Sequence, residues 1–515
     1  MASWQDGYIT DIPYTAGFYR ELAPSYLHLL CVLMGVRPPQ LVDREYGYCE
    51  LACGQGLGTL LLAAGNPRGR FVGVDFNPAQ IAKAQDLAER AGLSNVQFRE
   101  ESFAAMAERS GVDQTKFDVI VLHGIYSWVS QENRGHIVNI IRDRLKPGGV
   151  VYVSYNCMPG WAPFVPVQRM MREYVKAHPG RSDQNVMAAI DFVNQLAGKG
   201  ARYFKANESV TRNLGRLQNK ERTYLAHEYL NEHWEALYHI DVAREMQEAR
   251  LEYVGSATVS DNVLALNVPK DISEMLGSAG GSSMVETIKD FTVNRQFRRD
   301  LYVRGPVQLS NAQFVHEMNK IMFVLTLPPD KITLKLSTAA GELDANEPVV
   351  RPILDKLRQG PAVFKEIAEM PALAGVAAWQ VAQALSLLVE SGQTHPMLGD
   401  GSGNVDASRS LNQVLVEAAL LDDSMQFLSA PAIGSGSFVA NPEQLIILAL
   451  RSIKKPDARA VTEFVWKRFK EQNKRLIKDG KRIEDDAENV AELETRVRDF
   501  MDVRMPLLKQ LGVIH

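Results

Sequence analysis

The chain has little cysteine: four in 515 residues, Cys31, Cys49, Cys53 and Cys157, all in the first third and with no C-x-x-C pair. That count and spacing argue against a disulfide framework or a structural zinc site, and a reducing compartment suits the composition. Cys49 and Cys53 read instead as small apolar residues of a strand and a turn. The chain also lacks any apolar run of about eighteen residues, and its opening "MASWQDGYITDIPY" has no basic region followed by an apolar core. No membrane insertion is expected, and a cytoplasmic location is. Charge of one sign is equally scarce. The formal net charge is −4, from 57 Lys and Arg against 61 Asp and Glu, so no global field draws the protein to nucleic acid or to an anionic surface. Nucleic acid is not an expected partner.

What the chain does have is "ELACGQGLG" at Glu50 to Gly58, directly after "YGYC". This reads as a strand feeding a glycine-bent turn into a helix, a geometry that sets backbone N–H groups and a helix N-terminus against a nucleotide-like ligand. Gly54, Gly56 and Gly58 are spaced G-x-G-x-G rather than G-x-G-x-x-G, with Glu50 ahead of them. That spacing resembles S-adenosylmethionine (SAM) methyltransferases more than nicotinamide enzymes. The following segments arrive in doubly wound α/β order. Gly58 to Ala64 predicts a helix, "RFVGVDF" at Arg70 to Phe76 a buried second strand, and Pro78 to Ala91 a helix capped by Asn77. Asp75 then stands at the carboxyl end of strand two, where an acid accepts ribose hydroxyls. "NVQFRE" predicts strand three, ending near Glu101, Ser102 and Phe103 on the adenine side. "FDVIVLHG" predicts strand four. "LKPGGVVYVSYN" predicts a turn and strand five, and resembles class I SAM-dependent methyltransferases closely.

Two further strands of such a sheet are expected at Leu251 to Val259 and Asp300 to Gly305. Between strands five and six, residues 165–248 predict a helical insertion over the carboxyl edge of the sheet. Residues 16–35 predict a lead-in helix kinked at Pro24. "GSAGGSS" at Gly277 to Ser283 reads as a loop. Three domains are expected: a SAM-binding unit over 1–305; a connector and winged-helix-like unit over 306–400, ending in an extended "THPML" and a Gly/Ser loop; and a mostly helical C-terminal domain over 401–515. The third helix of the winged-helix-like unit carries almost no Lys or Arg, which favours protein packing over DNA readout. The Lys- and Arg-rich segment from Arg451 to Arg482 reads as a solvated helix face.

The acceptor is expected beside "HGIYSWV" (His123 to Val129) and "SYNCMPGW" (Ser154 to Trp161). Methyl transfer is an in-line displacement that requires a desolvated, aligned, neutral nucleophile. Tyr126, Tyr155 and Asn156 are candidates to hold an amine. His123 either relays its proton or caps the strand end and meets the cofactor through its backbone. Trp128 and Trp161 either wall an alkylammonium arm or pack the core.

Together "IPYT" (Ile12 to Thr15), "ELACGQG", "HGIYSWV", "SYNCMPGW" and "YLAHEYLNEHWEALY" (Tyr224 to Tyr238) resemble bacterial methyltransferases that carry a methyltransferase regulatory domain. That group includes rickettsial protein-lysine methyltransferases acting on outer-membrane proteins. The resemblance implies SAM as cofactor, N-methylation of lysine in a protein substrate, and a middle domain tied to self-association, hence a homodimer. It maps Glu50, Gly54, Gly56 and Asp75 to the cofactor; Ala52 in the turn, Phe76, Glu101, Ser102 and Phe103 at the ends of strands two and three, and His123 after strand four are further candidates for cofactor contact. His123, Tyr126, Tyr155, Asn156 and Trp161 fall next to the methyl. Ala52 departs from the family, where glycine is usual, and is expected to fit an ordinary turn conformation. His227 and Glu228 either pair structurally or touch substrate. Two other readings stand beside the lysine enzyme: a small-molecule or glycan N- or O-methyltransferase, and a SAM-binding scaffold without turnover.

Overall fold

The computed structural model describes residues 5–42, 44–109, 115–338, 341–397, 399 and 405–514. Leu398 and, apart from Gly399, the Gly/Ser loop lie outside them. Seven strands form the central sheet: β1 (Tyr46–Leu51), β2 (Gly69–Asp75), β3 (Val96–Glu100), β4 (Phe117–Leu122), β5 (Leu145–Asn156), β6 (Leu251–Ser256) and β7 (Phe297–Arg304). Their order is β3-β2-β1-β4-β5-β7-β6, with β7 antiparallel to both neighbours and the first five strands parallel. This is the α/β class I methyltransferase sheet. β1 and β4 are adjacent although two strands separate them in sequence, so the chain reverses direction across the sheet there. At such a switch point the carboxyl ends splay open into a ligand crevice.

Local sequence explains the elements that shape the crevice. Asn77 caps helix Pro78–Arg90, its side chain accepting from the N–H groups of Ala79 and Gln80. Pro24 does not kink a helix. It is the first residue of helix Pro24–Leu33, where its missing N–H costs nothing. Ser282 and Ser283 are not loop but the start of helix Ser282–Val293. The insertion has an apolar core of its own, running from Phe164 to Leu230 and taking in Ile12. Its expected last segment, helix His239–Glu248, instead buries Val242, Ala243 and Met246 against the sheet, as a 3.6-residue apolar period directs.

Beyond β7, helices Glu347–Arg358, Phe364–Ala368 and Ala378–Glu390 pack on a small antiparallel sheet of Met322–Leu325, Ala362–Val363 and Thr394–Met397, in winged-helix-like order. A mostly helical region follows. It covers helix Leu57–Gly65, the helix that leaves the glycine turn: Ser408 Oγ donates to Ala64 O at 3.1 Å, Ser429 Oγ to Leu61 O at 3.0 Å and Asn66 Nδ2 to Gly434 O at 2.8 Å. One apolar cluster runs continuously from Phe18 to Ile514 through these units. The basic C-terminal segment is laced with acids, Lys470 and Arg475 both pairing Asp486 and Lys474 pairing Asp423. Among the described residues no helix is long and apolar enough to cross a membrane.

Candidate functional site

Two cavities meet above the carboxyl ends of β1, β2, β4 and β5. The first, about 450 Å³, is lined by Ala52, Gly54, Asp75, Phe76, Glu101, Ser102 and Phe103 from the sheet side and by Tyr8 and Tyr14 from the N-terminal segment. The second, about 420 Å³, is lined by Asn156, Trp161, Tyr224, Glu228, Tyr229 and Arg299. Tyr14, His123, Gly124 and Trp128 line both.

In the first cavity Asp75 accepts from the N–H of Gly54 and of Asn77, each at 2.9 Å. Burial raises its pKa and these backbone donors oppose the rise. A carboxylate has about four lone-pair sites, so Asp75 keeps capacity for a diol. Gly54 stands at φ +56°, and a Cβ there would come within 3.2 Å of Gln80 Oε1. Phe76 and Phe103 supply apolar walls. Ser102 caps helix Phe103–Glu108 through Ala105 N–H, and the Glu101 carboxylate is drawn to Arg109 at 2.7 Å. A polar acid at one end and aromatic walls at the other fit an adenosine-bearing cofactor.

Three assignments at the turn change. Glu50 does not line the cavity: its carboxylate accepts from the Thr59 hydroxyl behind the turn, and burial pushes its pKa up to about 7. Gly56 is a packing glycine, since a Cβ there would meet Ala84 Cβ and Phe98 Cε1 at 2.6 Å, and it does not line the cavity. Ala52 is not in an ordinary turn conformation. Its φ is +57°, the left-handed region where an L side chain costs about 1–2 kcal/mol, which is why glycine is usual there.

On the acceptor side, alternation along β5 sorts the candidates. Tyr152, Ser154 and Asn156 share one face. Ser154 Oγ accepts from Gly124 N–H at 2.8 Å, and Tyr152 meets His123 Nδ1 at 2.8 Å. Asn156 Nδ2 donates to Glu228 Oε1 at 2.9 Å. Tyr155 faces the other way. Its hydroxyl donates to Asp300 Oδ2 at 2.6 Å within a buried network that includes Arg298 and His239, so it lines the cavity without offering its hydroxyl. Tyr126 reaches neither cavity. It is fully buried and donates to Glu245 on helix His239–Glu248. Trp161 stays at the cavity, its indole N–H fixed to Gln296 O at 2.8 Å, and Trp128 stands between the two cavities.

His123 stacks on Tyr19 at a centroid separation of 3.5 Å. Burial, with Arg299 nearby, lowers its pKa to about 3, so it stays neutral and is a weak base. Glu228 is the opposite case: burial pushes its pKa up to about 7, with the Asn156 hydrogen bond the largest opposing influence. His227 and Glu228 do not pair. His227 lies against Pro13 O at 3.3 Å and meets the Tyr14 ring edge-on at 5.0 Å.

The residues that sequence reasoning passed over belong mostly to the N-terminal segment. Tyr8 and Tyr14 close the first cavity because the segment is pinned across it: Ile9 N–H donates to Asn231 Oδ1 at 3.1 Å, Asp11 accepts from Ser182 N–H at 2.8 Å, and Gln55 donates to Tyr14 O. The family-like "IPYT" was the available signal.

Comparison with known proteins agrees with this geometry. A family model described as a methyltransferase domain matches residues 43–228, and one described as a predicted methyltransferase regulatory domain matches residues 221–304. An uncharacterized protein of Synechocystis sp. is 38% identical over 513 residues, covering 99% of this chain and 100% of that one. An uncharacterized protein of Rickettsia prowazekii is 26% identical over 323 residues, 62% of this chain and 57% of that one. Among solved structures, PKMT2 from Rickettsia typhi superposes with a TM-score of 0.68 at 18% identity, covering 98% of this chain and 99% of that one. Its complex with AdoHcy gives 0.67 at 19% identity, covering 95% and 98%. The cofactor is S-adenosylmethionine, and the chain belongs to the SAM-dependent methyltransferases that carry a methyltransferase regulatory domain.

Proposed function

We propose that this methyltransferase N-methylates lysine side chains of a protein substrate. The observation that carries the reading is the shared wall: Tyr14, His123, Gly124 and Trp128 separate the cofactor cavity from one that holds a buried carboxylate, Glu228, among the rings of Trp161, Tyr224 and Tyr229. An anion inside aromatic walls suits an alkylammonium, through charge pairing and cation–π contact. SAM supplies an electrophilic methyl group on a sulfonium and leaves as S-adenosylhomocysteine. Asp75, Gly54, Phe76 and Phe103 hold it on one side of the wall. On the other side, Asn156 and Glu228 orient the amine, and the tyrosines and tryptophans exclude water from it. The resemblance to rickettsial protein-lysine methyltransferases supports the same acceptor class.

The test is incubation with methyl-labelled SAM and a fractionated lysate, followed by mass-spectrometric location of the label. Label on lysine Nε in proteins is expected. Label confined to metabolites would overturn the protein-lysine reading.

A further inference from the structure

We infer that Glu228 is the catalytic proton acceptor for the incoming amine. The inference rests on the amine reading above and adds a chemical role to one residue of the cavity. A lysine arrives as an ammonium and has no lone pair to attack with. One N–H bond must break, with the proton going to a carboxylate oxygen of Glu228 and the electron pair staying on nitrogen for the methyl carbon.

The geometry places Glu228 for that step. It sits on helix Arg222–Tyr229, is 6% exposed, and lines the acceptor cavity rather than the cofactor cavity. Asn156 at the carboxyl end of β5 anchors Oε1 at 2.9 Å. Asn156 is itself held, its N–H donating to Ser127 Oγ at 2.8 Å and its carbonyl accepting from Leu237 N–H at 2.9 Å. The carboxylate is therefore fixed to the sheet even though its helix belongs to the insertion.

The surrounding groups argue for the same role. Lys220 precedes the helix of Glu228, and Arg299 on β7 lines the same cavity. Both cations, with a sulfonium across the wall, offset part of the pull of the carboxylate on a bound ammonium and so ease the loss of its proton. Tyr8, Tyr14 and Tyr19 on the N-terminal segment, and Tyr224 and Tyr229 on the same helix, feel Glu228, and burial raises the pKa of each above the ordinary range. They remain protonated at neutral pH. His123 on the wall is neutral but too weakly basic to take an ammonium proton. Glu228 alone among these groups has a proton affinity near neutrality, where general-base catalysis is most effective. In a desolvated site the neutral pair, amine and carboxylic acid, is favoured over the ion pair.

The experiment compares the full-length wild type with Glu228→Gln and Glu228→Asp. Infrared difference spectra of wild type minus Glu228→Gln, without acceptor, are expected to show a buried carboxyl band that disappears as pH rises through about 7. In lysine methylation of a lysate protein fraction, Glu228→Gln is expected to lower the rate by about 100-fold or more and to abolish its rise through that pH. SAM affinity should be unchanged, and Glu228→Asp should restore the pH profile at reduced rate. A carboxylate ionised throughout the range, or a Glu228→Gln enzyme with wild-type rate and profile, overturns the proposal. If the wild type labels only small molecules, the lysine reading falls. The proton role is then decided by whether Glu228→Gln slows that transfer and flattens its profile.

Discussion

Asn156 at the carboxyl end of β5 and Glu228 on the helical insertion, 72 residues apart, are joined by an Nδ2–Oε1 hydrogen bond of 2.9 Å. This bond ties the insertion to the edge of the crevice, and it gives the acceptor cavity its one anchored buried carboxylate among the described lining residues.

Breaking the bond should impair transfer more than cofactor binding. Asn156→Ala is expected to lower the methylation rate by about 10–100-fold, the worth of a hydrogen bond to a charged group, with the SAM dissociation constant within about twofold. Asn156→Asp sets a second carboxyl against Glu228, so one proton of the pair is held more tightly and the rise of rate with pH moves upward. Rate–pH profiles and calorimetric titration with SAM check both.

The two tyrosines that the sequence placed at the cleft should behave as structural residues. Tyr126→Phe removes a hydroxyl that bonds Glu245, and Tyr155→Phe removes one that bonds Asp300. Each is expected to cost about 1–3 kcal/mol of stability through a bond to a charged group while Tyr126→Phe leaves methylation within about twofold. Urea denaturation and steady-state rates on the same samples separate the effects.

The glycine turn divides into a ligand position and packing positions. Gly54→Ala should weaken SAM binding, since Gly54 lines the cavity and its N–H holds Asp75. Gly56→Ala should instead destabilise the fold by about 2 kcal/mol or more, from overpacking against Ala84 and Phe98 and a φ of +73°. Ala52→Gly should stabilise it by about 1 kcal/mol, by relieving the left-handed strain. Asp75→Ala is expected to lose about 10–100-fold in SAM affinity. Thermal denaturation and SAM titration of the four variants give the pattern.

Burial of Glu50 makes stability depend on pH. Its pKa rises from the ordinary 4.5 to about 7 in the folded protein, so the folded state binds a proton more tightly than the unfolded one. The advantage is complete below pH 4.5 and is lost as pH rises toward 7. Above that the buried charge costs about 3 kcal/mol. Glu50→Gln should therefore be more stable than wild type at pH 8 and should flatten the loss of stability between pH 5 and 7, as read from denaturation midpoints across that range.

Much of this was legible in the sequence because it is local. Glu50 to Gly58 marked the turn and Asn77 capped its helix as expected, so the sheet followed from short spacings; "LKPGG", expected as a turn ahead of strand five, is instead the irregular first part of β5, where the pairing with β4 shifts register. The acceptor side did not follow from short spacings, because it depends on contacts far apart in the chain. Tyr155 and Asn156 are neighbours, yet strand alternation sends one to Asp300 and the other to Glu228, and only the position of β7 and the insertion says which is which. Tyr126 follows β4 within a string that does reach the site, but helix His239–Glu248 draws its hydroxyl away. Ala52 carries no sign in its own chemistry that its backbone is left-handed. Tyr8 and Tyr14 enter the site from a segment with no regular periodicity.

The most direct measurement follows the methyl group and the departing cofactor together. With purified full-length protein, methyl-labelled SAM and a protein acceptor fraction, S-adenosylhomocysteine formed and Nε-methyl groups gained on lysine are counted in the same reaction. One lysine Nε-methyl is expected for each S-adenosylhomocysteine released. Release of S-adenosylhomocysteine with the label recovered on something other than lysine, or no release at all, would contradict it.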